Sequence, residues 1–259
     1  MRIFNKISLL FFNNGFVRKV EKRLYKGGKY QCPFCHHASN KMAFLGDDLP
    51  VIKEKHVIGA GRRRCVCYQC GSIDRERLVF ALLKFQLDYF ADKEKNILHI
   101  APERTLSTKL HESGFKNYIC GDLSPERFKY PFHVQNMNIL QIPYPDNYFD
   151  MIICNHVLEH IPNDLDAMRE LNRVLKVGGF AILQVPFAKT ILKTIEDESV
   201  IDPNERKKQF GQFDHVRIYG LDYMERLSAC GFKVKRINIS LAYQNLGLNK
   251  EEDIFIAEK

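Results

Sequence analysis

The chain has 259 residues, with 39 Lys+Arg against 31 Asp+Glu and a net charge of +8. A hydrophobic content of 45% and a charged content of 27% exclude wholesale disorder, and no apolar run approaches the roughly 20 residues that span a bilayer. The charge is uneven, +7 over residues 1–30, +3 over 31–95 and −2 over 96–259, which argues against a large basic nucleic-acid groove in the C-terminal two-thirds.

Residues 1–30 read as a basic, amphipathic leader. Phe4, Ile7, Leu10, Phe11, Val17, Val20 and Leu24 recur at helix-like spacing, with Arg18, Lys19, Lys22, Arg23 and Lys26 between them. The apolar stretch ISLLFF is too short for the core of a signal peptide, and no small-residue cleavage site follows it. A cytoplasmic chain is expected, in which the 8 Cys are metal ligands or free thiols and not disulfides. Peripheral contact of residues 1–26 with an anionic inner membrane face is one expectation for the leader; a helix packed on the next module, or a frayed tail, is the other.

Residues 31–75 are rich in cysteines and turns. Cys32-Pro-Phe-Cys35 and Cys67-Tyr-Gln-Cys70 form two CxxC pairs, each able to offer two thiolates from a tight turn, which together predict a closed four-cysteine zinc ribbon. Cys65, His36 and His37 compete for ligand positions, and the two-pair spacing disfavours them. The run Gly71-Ser72-Ile73-Asp74-Arg75-Glu76-Arg77 opens a helix predicted to continue to Phe90, making residues 76–95 a connecting helix. Its charges are either a capped, solvated turn or a reach by Arg75 and Arg77 toward an anionic substrate or the second domain.

From residue 96 onward, short apolar runs alternate with helical patterns, as in βαβ units built on a parallel sheet. Strands are predicted at 96–101, 117–122, 133–138, 148–155 and 180–186, with two further strands, 232–240 and 253–259, pairing antiparallel at the edge. Helices are predicted at 104–113, 163–175 and 221–230, the second stopped by Gly178-Gly179. Cys120, Cys154 and Cys230 fall where a small core residue fits.

The segment IPYPDNYFDMIICNHVLEHIPNDLDAMRELNRVLKVGGFAILQVPF resembles the central block of class I S-adenosylmethionine (SAM)-dependent methyltransferases. That resemblance implies a Rossmann-like α/β fold, a seven-stranded methyltransferase sheet over residues 96–259, behind the zinc ribbon. It implies SAM at the carboxyl ends of the strands, with Asp122 on the ribose hydroxyls, Asn138 at the adenine amino group, and Ala101, Glu103, Leu123, Ile139 and Asn155 also on the cofactor. The first strand departs from the family pattern: Leu98-His99-Ile100-Ala101-Pro102-Glu103 stands where a glycine-rich turn is expected. The chain from about residue 31 also resembles a narrower bacterial group with CPxC…CPxCGSxxRxR, LHxAPE and FGQxDHVRxYG motifs, so the turn reads as a group variant in which Glu103 holds the SAM ammonium by charge.

His156 and His215 are the expected catalytic bases. His160, Arg206 and Arg217 are the expected substrate contacts, the arginines suiting a carboxylate or phosphate. The polar insertion 188–212 is expected to fold over the site. The function so implied is methyl transfer to a small-molecule, glycan or lipid-linked acceptor. An RNA methyltransferase and a non-catalytic methyltransferase-fold binding protein are the alternatives; sparse aromatics and the modest charge of the ribbon weigh against RNA.

Overall fold

The computed structural model describes residues 15–128, 130 and 132–259; Phe4, Ile7, Leu10 and Phe11 of the leader lie outside them. The described part of the leader forms helix α1 (Gly15–Leu24). Its Arg18 guanidinium donates to the carbonyls of Tyr68 and Cys67, both at 3.0 Å, and Lys22 donates to the Gln69 side chain. This half of the leader therefore docks on the second CxxC turn, while Val20 and Leu24 stay exposed.

The cysteine-rich module consists of β1 (Lys26–Gln31), β2 (Ala38–Ser39), β3 (Ala43–Leu45), the short α2 (Pro50–Glu54), β4 (Val57–Ile58) and β5 (Arg63–Val66). β1 pairs with β2 and β3 with β5, each antiparallel. Both CxxC turns close on a left-handed residue, His36 (φ 57) and Gly71 (φ 83), with backbone bonds from His36 to Cys32 and from Gly71 to Cys67.

Helix α3 (Asp74–Ala81) follows, but it does not run to Phe90. A widened turn occupies Leu82–Gln86, Asp88 turns left-handed (φ 43), and a 3₁₀ turn covers Tyr89–Ala91. The helix is buried on nearly every side: Leu78, Val79, Phe80, Leu82 and Leu83 join Ile97, Leu106, Met151 and Ile182 in one core cluster. Its charged residues serve the interior. Arg77, fully buried, donates to the carbonyls of Leu246, Gly247, Cys65 and Ser72. Glu76 accepts from Thr105 N and Leu106 N, and so caps the helix that begins at Arg104. Asp74 pairs with Arg63 at 2.7 Å.

The remaining elements are β6 (Asn96–Ile100), α4 (Arg104–Glu112), β7 (Asn117–Asp122), β8 (Gln135–Asn136), β9 (Phe149–Asn155), α5 (Asp164–Val174), β10 (Leu175–Gln184), β11 (Phe187–Ala188), β12 (Ile195–Glu196), α6 (Pro203–Phe210), β13 (Arg217–Ile218), α7 (Tyr223–Ala229), β14 (Lys233–Ile237) and β15 (Ile254–Glu258). Seven strands form one sheet in the order β14-β15-β10-β9-β6-β7-β8. β15 runs antiparallel to both neighbours, and the pairs from β10 to β8 are parallel. The expected seven-stranded α/β sheet is thus present, with the predicted antiparallel edge. The strand predicted at 133–138 shrinks to Gln135–Asn136.

Gly178-Gly179 does not stop the helix. α5 ends at Val174 and β10 begins at Leu175, its register slipping between Leu175 and Phe180; Gly178 (φ 78) forms that bulge and donates its N–H to Lys259 O at 2.9 Å. β9 carries an unbroken buried run because both faces are covered, with Ile152 and Cys154 in one core cluster and Met151 and Ile153 in the other.

The insertion 188–212 is fastened at several points. β11 pairs antiparallel with β4 of the cysteine-rich module, and β12 pairs with β13. Ile52, Val57, Ala188, Phe210 and Ile218 share a third, small core, and Lys207 bonds Asp47 at 2.8 Å. Gly211 (φ 86) is required by this packing: a Cβ there would lie 2.3 Å from Ile52 Cδ1.

Candidate functional site

Two constellations emerge among the described residues. The first is the four-cysteine cluster. The Sγ atoms of Cys32, Cys35, Cys67 and Cys70 all lie within 4.8 Å of one another, with Cys32–Cys70 and Cys35–Cys67 at 3.6 Å. A tetrahedron built on Zn–S bonds of about 2.3 Å has edges of about 3.8 Å, so the donor set fits zinc. All four thiols are free, and Ser72 Oγ lies 3.3 Å from the sulfurs of Cys32 and Cys70. The competitors fall outside the cluster: Cys65 is buried elsewhere, and burial pushes its thiol up to about 12.

The second constellation gathers at the carboxyl ends of β6, β7 and β9. Beyond β6, Ala101 adopts φ 47, the left-handed conformation that a glycine would supply in this turn, and donates its N–H to Gly121 O at 2.8 Å. The turn is thus kept without its glycines. Glu103 follows, and its carboxylate is already engaged. It accepts from Arg75 Nε at 3.2 Å, lies 3.1 Å from His99 Nε2 and meets Asn155 Nδ2 at 3.4 Å. Burial acts to raise its pKa, but the His99 contact and the Arg75 charge overcome this and hold it at about 2. The charge expected to meet an ammonium therefore faces an arginine from α3, and Arg75 reaches across to the sheet.

At the end of β7, Asp122 accepts from Ser124 N at 2.8 Å and lies 3.3 Å from the Tyr130 hydroxyl. Leu123 is exposed beside it, and Ile139 is buried under the next loop. The Asn138 side-chain oxygen accepts from Leu140 N at 3.0 Å, a local turn contact that uses one of its two lone pairs. At the end of β9, Asn155 Oδ1 is buried without a partner. An orphaned buried acceptor, a backbone-lined turn and a carboxylate at three adjacent strand ends suit a polar, hydroxyl- and amine-bearing cofactor such as SAM.

His156 also takes a left-handed conformation (φ 55), and its Nε2 is buried without a partner. Burial, with the nearby Arg75 charge, pushes this imidazole down to about 4. Gly59 of the cysteine-rich module packs against it, since a Cβ there would lie 3.2 Å from His156 Cε1. His156, His160 and His215 meet around a residue that the sequence did not single out, Glu159. His156 Nδ1 is 3.4 Å, His215 Nε2 3.9 Å and His160 Nε2 4.0 Å from Glu159 Oε1. The available signal was the spacing His156-x-x-Glu159-His160, which the 3₁₀ turn Leu158–His160 folds toward one point.

Of the two expected substrate arginines, one has other work. Arg217 is buried and turned inward, donating to the carbonyls of Leu158, Ile161 and Pro162 and to Glu196. Its guanidinium is consumed in holding the turn after β9, so a substrate anion has no open donor fork there. Arg206 Nε donates to Val200 O at 2.8 Å, inside the insertion.

Comparison with known proteins bears on the same region. Residues 103–183 match the methyltransferase domain family. The uncharacterized protein MJ0638 of Methanocaldococcus jannaschii is 40% identical over 68 residues, 26% of this chain and 30% of that protein. The ubiquinone/menaquinone biosynthesis C-methyltransferase UbiE of Vibrio cholerae is 38% identical over 63 residues, 24% of each chain. The chain thus spans about a quarter to a third of the length of these curated relatives. A SAM-dependent methyltransferase from Archaeoglobus fulgidus superposes with a TM-score of 0.48 at 18% identity, over 73% of this chain and 95% of that one. Residues 103–183 thus carry a methyltransferase domain, set in a seven-stranded sheet behind a four-cysteine cluster.

Proposed function

We propose that the protein transfers a methyl group from SAM to a small-molecule, glycan or lipid-linked acceptor. The observation that carries this reading is the set of open or half-satisfied polar groups at the ends of β6, β7 and β9, inside the block that matches the methyltransferase domain. Asp122 would hold the ribose hydroxyls, and Leu123, Asn138 and Ile139 would surround the adenine. The Ala101 turn, Glu103 and Asn155 would hold the methionine end, with Arg75 setting the orientation of Glu103. When bound, SAM supplies an electrophilic methyl group on a sulfonium, and the protein's own contribution is chiefly to bring an acceptor into line with it. His156, whose Nε2 has no partner, would accept the acceptor's proton in this reading.

Zinc in the four-cysteine cluster would be structural, since four thiolates close its coordination sphere. The leader is consistent with a peripheral role: the Arg18 contacts fix α1 to the cysteine-rich module, while Val20, Leu24 and several basic side chains remain outside. Among the described residues no helix is long and apolar enough to cross a membrane.

Calorimetry with SAM and with S-adenosylhomocysteine tests the reading. Both are expected to bind, Asp122→Ala to weaken both by at least about tenfold, and Glu103→Ala to weaken SAM. Failure of the intact protein to bind either compound would overturn the methyltransferase reading; unchanged SAM affinity in Glu103→Ala would remove that residue from the cofactor site.

A further inference from the structure

We infer that Glu159, His160 and His215 form a binding site for a divalent transition-metal ion, separate from the four-cysteine cluster. The site goes beyond the methyltransferase reading and stands without it.

The ligand atoms are one carboxylate oxygen and one nitrogen from each imidazole, all within 4.8 Å of one another. Glu159 is 1% exposed, and neither of its oxygens has a hydrogen-bond partner. An ionised carboxylate so placed is costly unless something positive completes it. The imidazoles do not complete it by hydrogen bonding, because 3.9 and 4.0 Å exceed the usual N–H···O range of about 2.7–3.2 Å.

What the two rings do with their other nitrogens decides the matter. His215 Nδ1 lies 3.1 Å from Phe210 O, and His160 Nδ1 lies 3.3 Å from Asp214 O, with the Asp214 carboxylate at 3.5 Å. A carbonyl oxygen only accepts, so each Nδ1 carries the hydrogen. In the neutral ring each Nε2 then presents a lone pair toward the Glu159 oxygen. Two lone pairs aimed at a carboxylate repel it, but all three suit a cation placed between them. Outer backbone carbonyls that fix the ring tautomer are the usual support of metal-ligating histidines.

The spacing agrees. With metal bonds of about 2.1 Å, ligand atoms stand about 3.0–3.4 Å apart, so the Glu159–imidazole separations of 3.9 and 4.0 Å need to close by about 0.5–1 Å. His156 lies on the remaining side, its Nδ1 3.4 Å from Glu159 Oε1. Two imidazoles and a carboxylate favour zinc, iron or manganese over calcium or magnesium. Three protein ligands, with His160 28% exposed, leave coordination positions for water or an oxygen-bearing molecule.

Cobalt(II) is the probe, added to full-length protein whose four-cysteine cluster has first been filled with zinc. One cobalt per chain is expected, with visible absorption of a nitrogen- and oxygen-ligated ion and no thiolate-to-cobalt charge-transfer band. His160→Ala, His215→Ala and Glu159→Gln should each weaken uptake by about tenfold or more, with the far-ultraviolet circular dichroism unchanged. If Glu159→Gln fails to fold, His160→Ala, on the most exposed of the three side chains, carries the test. Absence of cobalt beyond the zinc, cobalt bearing a thiolate band, or affinity unchanged in His160→Ala and His215→Ala would overturn the site. SAM binding measured on the cobalt-free protein keeps the two readings apart: its loss with cobalt retained defeats the methyltransferase reading alone.

Discussion

Single residues in this protein act mainly through what burial does to their charge. Glu252 has an Oε2 that is buried without a partner, and burial together with the Asp74 charge pushes its carboxyl up to about 7 from 4.5. The raised folded-state pKa means that stability is fully present below pH 4.5 and declines as pH rises through 7. Glu252→Gln should therefore match the wild type near pH 4.5 and exceed it by up to about 3 kcal/mol at pH 8; denaturant unfolding at the two pH values checks this, and an equal effect at both would refute it. At the same scale, Glu103 and Arg75 show how two residues can be singled out while their pairing is missed. The LHxAPE resemblance pointed to Glu103, but Arg75 lies 28 positions earlier and only the folded chain brings its Nε to 3.2 Å. Arg217 is the converse case: a guanidinium in a loop-like stretch reads as a substrate contact until the fold shows its donors spent on main-chain carbonyls.

At the scale of elements, α3 is the fastening between the cysteine-rich module and the sheet. Arg77→Ala would strip buried carbonyls at Leu246, Gly247, Cys65 and Ser72 of a donor, and should cost about 3 kcal/mol or more in denaturant unfolding. Arg77→Lys should recover little of this, since one ammonium cannot reproduce the fork. The insertion is anchored by the approach of Ile52 to Gly211. Gly211→Ala should destabilise by about 1–3 kcal/mol, from both the clash and the positive φ. Combined with Ile52→Ala, it should lose the part of that cost due to the clash, a double-mutant cycle that strictly additive effects would contradict. The patterning of β6, β7, β9 and β15 was legible because buried strands leave continuous apolar runs. The true end of α3 and the bulge at Gly178 were not, because a widened turn and a strand slip answer to neighbours and not to local propensity.

Across the whole molecule, the cysteine-rich module is part of the wall of the site and not a distant appendage. β4 extends β11, Gly59 packs on His156, and α3 sends Arg75 to Glu103. If zinc fills the four-cysteine cluster, as proposed, its removal should therefore reach the sheet. Stripping the metal with a thiol-competent chelator is expected to lower the melting temperature of the full chain and to weaken SAM binding with it. Thermal melts and calorimetry on chelated and zinc-restored protein check this; unchanged SAM affinity in the stripped protein would show that the module supports only itself.

The cysteine pairs and the βαβ succession are legible in short-range spacing, in CxxC turns and buried runs, and the methyltransferase block in its resemblance to a known family. How these parts meet follows from the folded chain. Convergence of Glu159 with His160 and His215, the Arg75–Glu103 contact and the inward Arg217 depend on chain segments tens of residues apart. No local pattern encodes such distances; they follow from burying two faces of one sheet and packing a small module against its carboxyl edge.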